Sequence, residues 1–124
     1  LEASTGHAAG GARSLPGISC HALCVAPGEG GSREELLATL GRGLYVERFS
    51  GSVDAASGDF SGVAKSARWV ENGEIVRPVT ETLLAGNSFD LLRGSLVLGS
   101  EAERRGGSAR IPAALVDGID VTAG

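Results

Sequence analysis

The sequence predicts an α+β fold that is mainly antiparallel β, with one clear helix and one short helix. Twenty glycines in 124 residues indicate many turns and therefore many short connections between strands. From residue 43 onward, apolar and polar residues alternate with a period of two, as expected for half-buried strands. Only residues 33–41 combine leucines at helical spacing with a sequence that can cap a helix.

The first fourteen residues, LEASTGHAAGGARS, offer almost nothing to bury and are predicted to be a flexible arm or a cloning remnant. His7 lies in this arm and is interpreted as a solvated loop histidine. The folded domain is predicted to occupy residues 15–124, with a first short strand near residues 21–26. Because the chain begins with Leu1 and not with Met, we expect it to be a piece of a longer protein.

The predicted helix over residues 33–41 begins behind Ser32, which forms a capping box with Glu35. The serine oxygen can accept a hydrogen bond from the first turn, while the glutamate reaches back to the Ser32 N–H. The apolar face of the helix would consist of Leu36, Leu37 and Leu40. Gly41 or Gly43 can end the helix in a left-handed conformation.

The glycine-rich loop over residues 28–32, just before this helix, raises an alternative, because such loops can cradle a phosphate. Its spacing matches neither the dinucleotide-binding pattern nor the Walker pattern. Glu29, Glu34 and Glu35 would also repel an anion at this end of the helix. A plain loop with a helix cap is therefore the favoured interpretation.

A series of strands is predicted after the helix. They span residues 43–50, 60–64 and 67–71. Turn signals separate the first two at residues 51–52 and 54–58. Asn72-Gly73 gives the strongest hairpin signal, because a type I′ turn needs positive φ at both central residues.

The hairpin register implied by this turn pairs Val70 with Ile75, Trp69 with Val76, Glu71 with Glu74, and Arg68 with Arg77. Each like-charged pair costs roughly a few tenths of a kcal/mol unless neighbouring groups neutralise it. Those neighbours would have to come from elsewhere in the fold or from a partner. Trp69 is interpreted as a core anchor and not as a platform for a ligand.

The rest of the chain is predicted to consist of strands and one short helix. Extended segments are expected at residues 79–85, 95–98, 108–111 and 114–121. The short helix over residues 88–92 can be capped by Asn87 or by Ser88.

The charge distribution argues against a nucleic-acid-binding protein. The net charge is −4, and the eleven basic residues are scattered apart from the pair Arg104-Arg105. A nucleic-acid groove needs clustered cations with aromatic rings among them. No apolar run approaches the ~20 residues that span a bilayer. We therefore expect a soluble cytoplasmic protein that binds neither nucleic acid nor membrane.

Cys20, His21 and Cys24 suggest a metal site, which geometry can test. In an extended segment the two thiols lie ~13 Å apart and His21 points to the opposite face. That separation is too large for one zinc ion or one disulfide. Pro16 and Pro27 on either side favour a short strand over a helix. We therefore predict two buried thiols and no metal site.

Four segments follow one another in this order: Gly43-Leu-Tyr-Val-Glu-Arg-Phe49, Gly58-Asp-Phe-Ser61, Trp69-Val-Glu-Asn-Gly-Glu-Ile75 and Pro78-Val-Thr-Glu-Thr-Leu-Leu-Ala-Gly-Asn87. They resemble the C-terminal portion of TldD/PmbA proteins. PmbA is also called TldE, and the family carries the older label modulator of DNA gyrase. Ten residues are expected to be structural motif positions: Gly58, Asp59, Phe60, Trp69, Glu71, Asn72, Gly73, Pro78, Gly86 and Asn87. The resemblance covers roughly residues 15–124.

The resemblance implies a cytoplasmic zinc metallopeptidase assembly that acts on small or unfolded peptides, in which TldD pairs with TldE or a subunit pairs with itself. The zinc-bearing subunit uses an upstream H-E-x-x-x-H motif and a cysteine near the C-terminus. Neither His7 nor His21 lies in such a motif, and the region of the late cysteine reads Arg104-Arg-Gly-Gly-Ser108. Gly106 or Gly107 is the expected equivalent of that cysteine, with Gly106 preferred.

By this resemblance the chain is expected to be the C-terminal domain of a TldE/PmbA-like partner, with no catalytic residue, metal ligand or cofactor of its own. Zinc would belong to the parent protein or to a TldD-like partner subunit. A second hypothesis follows from the older family name: a protein-binding module that modulates DNA gyrase without enzymatic activity.

Overall fold

The computed structural model describes residues 6–20, 22–94 and 96–123. Within them the elements are β1 (Ala8–Ala9), β2 (Gly17–Ile18), α1 (Arg33–Leu40), β3 (Gly43–Val53), β4 (Asp59–Glu71), β5 (Glu74–Val79), β6 (Thr82–Asn87), α2 (Ser88–Arg93), β7 (Val97–Arg105), β8 (Ala109–Leu115) and β9 (Asp120–Ala123). Strands make up 53% of the described residues and helices 12%, so the predicted β-rich α+β fold is confirmed.

Five strands form one antiparallel sheet in the order β3-β4-β6-β9, with β5 also paired to β4. β4 is central, because β3 follows one of its edges along the whole length while β5 and β6 share the other edge. β7 and β8 form a separate hairpin, and β1 and β2 form a small ribbon. Neither helix of the described chain has the length and apolar character needed to cross a membrane.

Both predicted helices are confirmed, together with their caps. Ser32 Oγ accepts a hydrogen bond from the Glu35 N–H at 3.3 Å, and Glu35 Oε2 accepts one from the Ser32 N–H at 2.6 Å. Gly41 ends α1 with φ of 63°, in the left-handed region that glycine tolerates. Asn87, one of the two predicted caps of α2, is its N-cap.

β3 is longer than predicted, because residues 51–52 lie within the strand and not in a turn. Gly51 pairs with Gly62, and a Cβ on Gly51 would lie 2.6 Å from both the Gly62 Cα and the Phe49 ring. Glycine is therefore needed here for the close approach of two strands. The predicted turn over residues 54–58 is confirmed.

A crease crosses the sheet between its two halves. Ser66 in β4 and Glu81 between β5 and β6 both have φ of 53°, in the left-handed region. Ala64 and Ala67 lie three positions apart on either side of Ser66, yet they belong to one core cluster. Side-chain alternation therefore shifts by one residue at the crease, which brings apolar residues of both halves to one face.

The left-handed residues at the crease account for two differences between the predicted and the observed strands. The predicted runs 60–64 and 67–71 are two parts of the single strand β4, which changes conformation between them. The predicted continuous segment 79–85 is wrong, because the left-handed Glu81 separates β5 from β6.

The Asn72-Gly73 turn is confirmed, with φ of 52° and 77°. Val70 faces Ile75 and Glu71 faces Glu74, as predicted. These pairs form the end of the hairpin nearest the turn.

Further from the turn the predicted register is wrong. A β-bulge places Trp69 opposite Arg77 and Arg68 opposite Pro78, so the predicted pairs Trp69–Val76 and Arg68–Arg77 do not form. Val76 is the extra residue of β5, which bends the edge of the sheet at this point. The bulge also removes one of the two like-charge pairs.

The buried core is small and lies along the crease. Its cluster consists of Ala64, Ala67 and Leu84, with Leu44, Val46, Val79 and Ile119 packed against it. Val70 is the fully buried residue of the hairpin, whereas Trp69 is half-buried. The interpretation of Trp69 as a core anchor is therefore wrong, because it lies beside a groove and not beneath another layer.

The sheet face that carries this core is largely uncovered in the described residues. Phe49 and Phe60 meet edge to face on it, with ring centroids 5.8 Å apart. Phe49, Val53 and Val121 are 41%, 58% and 50% exposed. We call this surface the apolar face; it comprises Phe49, Val53, Phe60, Leu84 and Val121.

The last three strands differ from the predicted segments. β7 and β8 are joined by a turn in which Gly106 and Gly107 have φ of 50° and 80°, so β7 extends well beyond residue 98. Residues 116–119 lie outside any strand and divide the predicted segment 114–121. Ser95, the first residue of another predicted strand, lies outside the described residues.

The predicted strand near residues 21–26 is reduced to one isolated bridge, between Cys24 and Arg110. Cys20 and Cys24 are exposed free thiols, so their predicted burial is wrong. His21 lies outside the described residues.

The predicted arm is exposed almost throughout its described part, residues 6–14. It contains β1, which pairs with β2 through Ala8–Ile18 and Ala9–Gly17. Leu15 and Ile18 just beyond it are 93% and 94% exposed. Residues 1–5 lie outside the described part.

Candidate functional site

The ten motif positions named above lie at the two ends of β4. One group lies where the β3–β4 turn meets α2, and we call it the turn–helix clamp: Gly58, Asp59, Phe60, Gly86 and Asn87. The other lies around the β4–β5 turn, and we call it the hairpin end: Trp69, Glu71, Asn72, Gly73 and Pro78.

Asn87 joins the parts of the turn–helix clamp. Its Nδ2 donates to the Ser57 carbonyl and to Asp59 Oδ1, both at 2.8 Å. Its Oδ1 accepts from the N–H of Phe89 at 3.0 Å and of Asp90 at 3.2 Å. One side chain therefore caps α2 and ties it to a turn 30 residues earlier.

Gly58 completes the clamp because no side chain fits there. It is buried with φ of 82°, and a Cβ would lie 2.5 Å from the Phe89 ring. Its carbonyl accepts from the Ser88 N–H at 2.8 Å and from the Ser88 hydroxyl at 2.9 Å. These contacts are internal to the fold, and they position the turn against α2.

Asp54 begins the same turn and stabilises it as a carboxylate. Its Oδ1 accepts from the backbone N–H of Ser57 and of Ala56, each at 2.8 Å. These hydrogen bonds, that of Ser57 first, lower the pKa of Asp54 from its ordinary value of 3.8. The ionised form is therefore the one that the turn favours.

The hairpin end is held by fewer contacts. Trp69 Nε1 donates to Glu71 Oε1 at 2.9 Å, and the Arg42 guanidinium lies 5.6 Å from the indole centroid. The Gly73 N–H donates to the Gly41 carbonyl at 2.9 Å, which ties the hairpin tip to the end of α1. Arg42 and Trp69 thus meet at the surface.

The charge of Arg68, whose predicted pairing with Arg77 does not form, is balanced by a residue of β3. Arg68 forms an ion pair with Glu47 at 3.2 Å and lies 6.0 Å from the Tyr45 ring centroid. The cross-strand charge of Arg68 is therefore balanced within the fold.

A groove of about 440 Å³ opens beside Trp69, between the end of β5 and β9. Its walls include Leu44, Trp69, Arg77, Val79, Thr82 and Val121. Among the described residues that line it, Arg77 is the one with a charge. A groove with such walls suits the packing of an apolar segment better than bond-breaking chemistry.

The metallopeptidase resemblance raises the question of whether this chain can hold zinc. Within residues 6–20, 22–94 and 96–123, no three His, Cys, Asp or Glu side chains lie close enough together to bind a metal ion. Gly106, the expected equivalent of the late cysteine, lies at the tip of the β7–β8 turn. A Cβ there would have open space around it, but the positive φ of 50° would strain the backbone of any residue other than glycine. The described residues do not fit a zinc site, and no catalytic step is assigned to them.

The glycine loop over residues 28–32 packs against β7. The Gly28 N–H donates to the Gly99 carbonyl at 2.9 Å, and the Gly30 N–H to the Leu98 carbonyl at 2.8 Å. A Cβ on either loop glycine would lie 2.6 Å from that Leu98 oxygen. The N–H groups that could hold a phosphate instead bind β7, which supports the plain loop.

Sequence reasoning missed an ion-pair network that joins α1 to β7. Glu103 binds Arg33 at 2.5 Å and Arg105 at 2.7 Å. The hydrogen bond that Arg33 donates to Glu103 raises the pKa of Arg33. Arg33 and Glu103 are 70 residues apart, so no local pattern connects them.

Comparison with known proteins decides the family. A family model described as the PmbA/TldA metallopeptidase C-terminal domain matches residues 2–123. The chain belongs to the PmbA/TldD family. The match includes residues 2–14, which contain none of the four motif segments.

Two curated relatives are PmbA proteins. The chain is 41% identical over 103 residues to Metalloprotease PmbA of Escherichia coli O157:H7, and 39% identical over 103 residues to the Metalloprotease PmbA homolog of Haemophilus influenzae. Each alignment covers 82% of this chain but only 20% and 21% of those proteins. The chain thus spans about a fifth of the length of these PmbA/TldD relatives.

Two solved structures share the fold. A Thermotoga maritima protein named as a modulator of a DNA gyrase aligns with a TM-score of 0.71 and 36% identity, covering 80% of this chain and 23% of that one. TldE from Thermococcus kodakarensis aligns with a TM-score of 0.78 over 98% of this chain and 28% of that one. Its identity of 24% shows the fold alone.

Proposed function

We propose that this chain is the C-terminal structural and interface domain of a PmbA/TldD-type zinc metallopeptidase assembly, within its TldE/PmbA-like subunit. In this role it contributes no catalytic residue. It supports the parent fold, contacts a TldD-like partner or a second copy, and forms part of the wall around a small or unfolded peptide substrate.

The observation that carries this proposal is the amount of exposed surface. The chain exposes 9034 Å², whereas a folded monomer of 12.5 kDa exposes about 6,200 Å². The excess is roughly 2,800 Å², part of which belongs to the exposed residues 6–20. A standard interface covers about 800 Å² of each partner. A domain with such an excess is suited to being covered by a larger protein.

The position of this surface supports the same role. The apolar face and the groove beside Trp69 adjoin each other, since Val121 belongs to both. Contiguous apolar surface of this kind marks interaction sites in soluble proteins. A partner packed on the apolar face would extend the small core and bury the apolar side chains that are now exposed.

Zinc and peptide cleavage belong, in this proposal, to the parent protein or its partner. The described residues do not fit a zinc site, and the curated metalloproteases are long enough to hold one elsewhere, since this chain spans about a fifth of them. Following the family resemblance, we place the assembly in the cytoplasm.

The test is a peptidase assay of the full-length protein, alone and with a TldD-like subunit, on an unfolded peptide. We expect cleavage only in the complete assembly, and cleavage that a chelator abolishes. One zinc ion per copy of the isolated 124-residue chain, measured by elemental analysis, would refute the proposal, as would cleavage by that chain alone.

The name of the Thermotoga maritima relative favours a second candidate, a protein-binding module for DNA gyrase. Affinity capture with the full-length protein in nuclease-treated extract separates the two roles. Retention of gyrase without a TldD-like subunit would favour the second candidate.

A further inference from the structure

An arginine pair on the β7–β8 hairpin forms no ion pair among the described residues. Arg104 of β7 lies directly opposite Arg110 of β8, and both side chains are exposed. Opposite residues of an antiparallel pair have Cβ atoms about 5 Å apart on the same face. Two like charges so placed repel each other, and none of the ion pairs among the described residues includes either.

On the other face of the same hairpin the arginine is ion-paired. Glu103 and Arg105 flank Arg104 in β7 and therefore point to the opposite face. There Glu103 binds both Arg105 and Arg33. The hairpin thus presents one face whose arginine is ion-paired and one face with two guanidinium groups that form no ion pair among the described residues.

The backbone beneath the pair is fixed on both sides. The Arg110 N–H donates to the Leu23 carbonyl at 2.8 Å, and its carbonyl accepts from the Val25 N–H at 2.9 Å. β8 therefore lies between β7 and the segment before the glycine loop. A backbone held in this way keeps the two arginines side by side, so a ligand that bridges them needs little reorganisation.

We propose that Arg104 and Arg110 clamp a carboxylate of a bound peptide. Guanidinium groups bind carboxylates through paired, charge-assisted hydrogen bonds. A carboxylate between the two arginines would also remove their mutual repulsion. The inference rests on the proposed function, which supplies the peptide; its carboxylate is either the C-terminus or an acidic side chain.

A nucleic acid fits this surface less well than a peptide. Binding a phosphate backbone needs a row of cations, usually with aromatic rings on which bases stack. The next cross-strand pair on this face is Ala102 with Pro112, which offers neither. The net charge of −4 also opposes a polyanion.

The experiment measures equilibrium binding of fluorescent peptides to the full-length protein by anisotropy. Three peptides of one neutral sequence are compared: one with a free C-terminus, one amidated with a single glutamate, and one amidated without it. We expect at least one carboxylate peptide to bind about tenfold more tightly than the neutral peptide, the size of one charge-assisted hydrogen bond. The peptide that shows the preference identifies the source of the carboxylate.

Substitutions localise the effect. Arg104→Gln and Arg110→Gln are each expected to abolish that preference and to leave binding of the neutral peptide unchanged. Arg105→Gln is the matched control, because it removes the same charge from the face whose arginine is ion-paired; it should keep the preference.

Several results would overturn the clamp. They are equal affinity for the three peptides, no measurable binding, an equal loss in Arg105→Gln, or an oligonucleotide that competes through Arg104 and Arg110. A fall of several degrees in the melting temperature of both variants, with peptide affinity unchanged, would assign the pair to an ion pair inside the parent protein.

Binding is measured without turnover, so the clamp and the peptidase role fail separately. Cleavage without any charge preference refutes the clamp alone. Carboxylate binding through both arginines, without cleavage in the complete assembly, refutes the peptidase role alone.

Discussion

The two ends of β4 carry equal numbers of motif residues but are held in different ways. At the turn–helix clamp, Asn87 makes four hydrogen bonds and Gly58 is buried under Phe89. At the hairpin end, Trp69 makes one side-chain hydrogen bond and borders an open groove. We therefore expect the turn–helix clamp to determine the stability of this domain. The hairpin end is expected to contact other parts of the assembly.

The largest effect is expected from Asn87→Ala. It removes the cap of α2 and the link to the turn, and should lower the free energy of unfolding by about 2–3 kcal/mol. Urea unfolding of the purified protein measures it. Asn87→Asp retains the capping oxygen but faces Asp59, so it should lose less; an unchanged stability in Asn87→Ala would break the contrast between the two ends.

Gly58→Ala tests the close packing of the clamp. The left-handed backbone and the Phe89 ring should together cost about 2 kcal/mol. Gly118→Ala is the control, because Gly118 has φ of 86° but open space around its Cβ. It isolates the backbone strain at about 1 kcal/mol; equal losses in both variants would show that the ring contact contributes nothing.

Ser66→Gly tests the crease that separates the two ends. Glycine relieves the left-handed strain, so we expect a gain of about 0.5–1 kcal/mol in unfolding free energy. Ser61→Gly, at an ordinary position of the same strand, should instead lose about 0.5–1 kcal/mol. If both variants changed the free energy of unfolding in the same direction, the backbone strain inferred at Ser66 would be contradicted.

Trp69→Phe tests the hairpin end. Loss of the Glu71 hydrogen bond and of the Arg42 contact should cost only about 0.5 kcal/mol, because both are exposed to solvent. The amount of partner subunit that the full-length variant retains in affinity capture should fall clearly, whereas its free energy of unfolding changes little. A large loss of stability would place Trp69 among the folding determinants after all.

The smallest effect concerns pH. The folded-state pKa of Asp54 lies below its ordinary value of 3.8, so its contribution to stability is present above that pH and is lost as the pH falls through the folded pKa. The stability difference between the wild type and Asp54→Asn should therefore shrink on acidification below pH 3.8. A difference that is constant from neutral to acidic pH would show that the turn does not favour the carboxylate.

Local chemistry explains which elements the sequence predicts correctly. The capping box of Ser32 and Glu35, the Asn72-Gly73 turn and the Asn87 cap each depend on residues within a few positions of one another. Such signals are readable without knowledge of the fold.

The features that sequence reasoning missed depend on distant strands. Gly51 marks a close approach to Gly62, and only the paired strands distinguish that role from a turn. The left-handed Ser66 and the bulge at Val76 belong to residue types that carry no such signal. The Arg104–Arg110 pair follows from the Gly106-Gly107 turn, a glycine pair between two strands that could have predicted this hairpin.

The bulge at Val76 and the proline at position 78 have a consequence for the newly synthesised chain. Within the described residues β5 pairs only with β4, so its outer edge could recruit a strand of another molecule. A proline lacks the N–H that such pairing needs, and a bulge twists the edge away from it. Before any neighbour covers this domain, β5 is thereby protected from aggregation in the crowded cell.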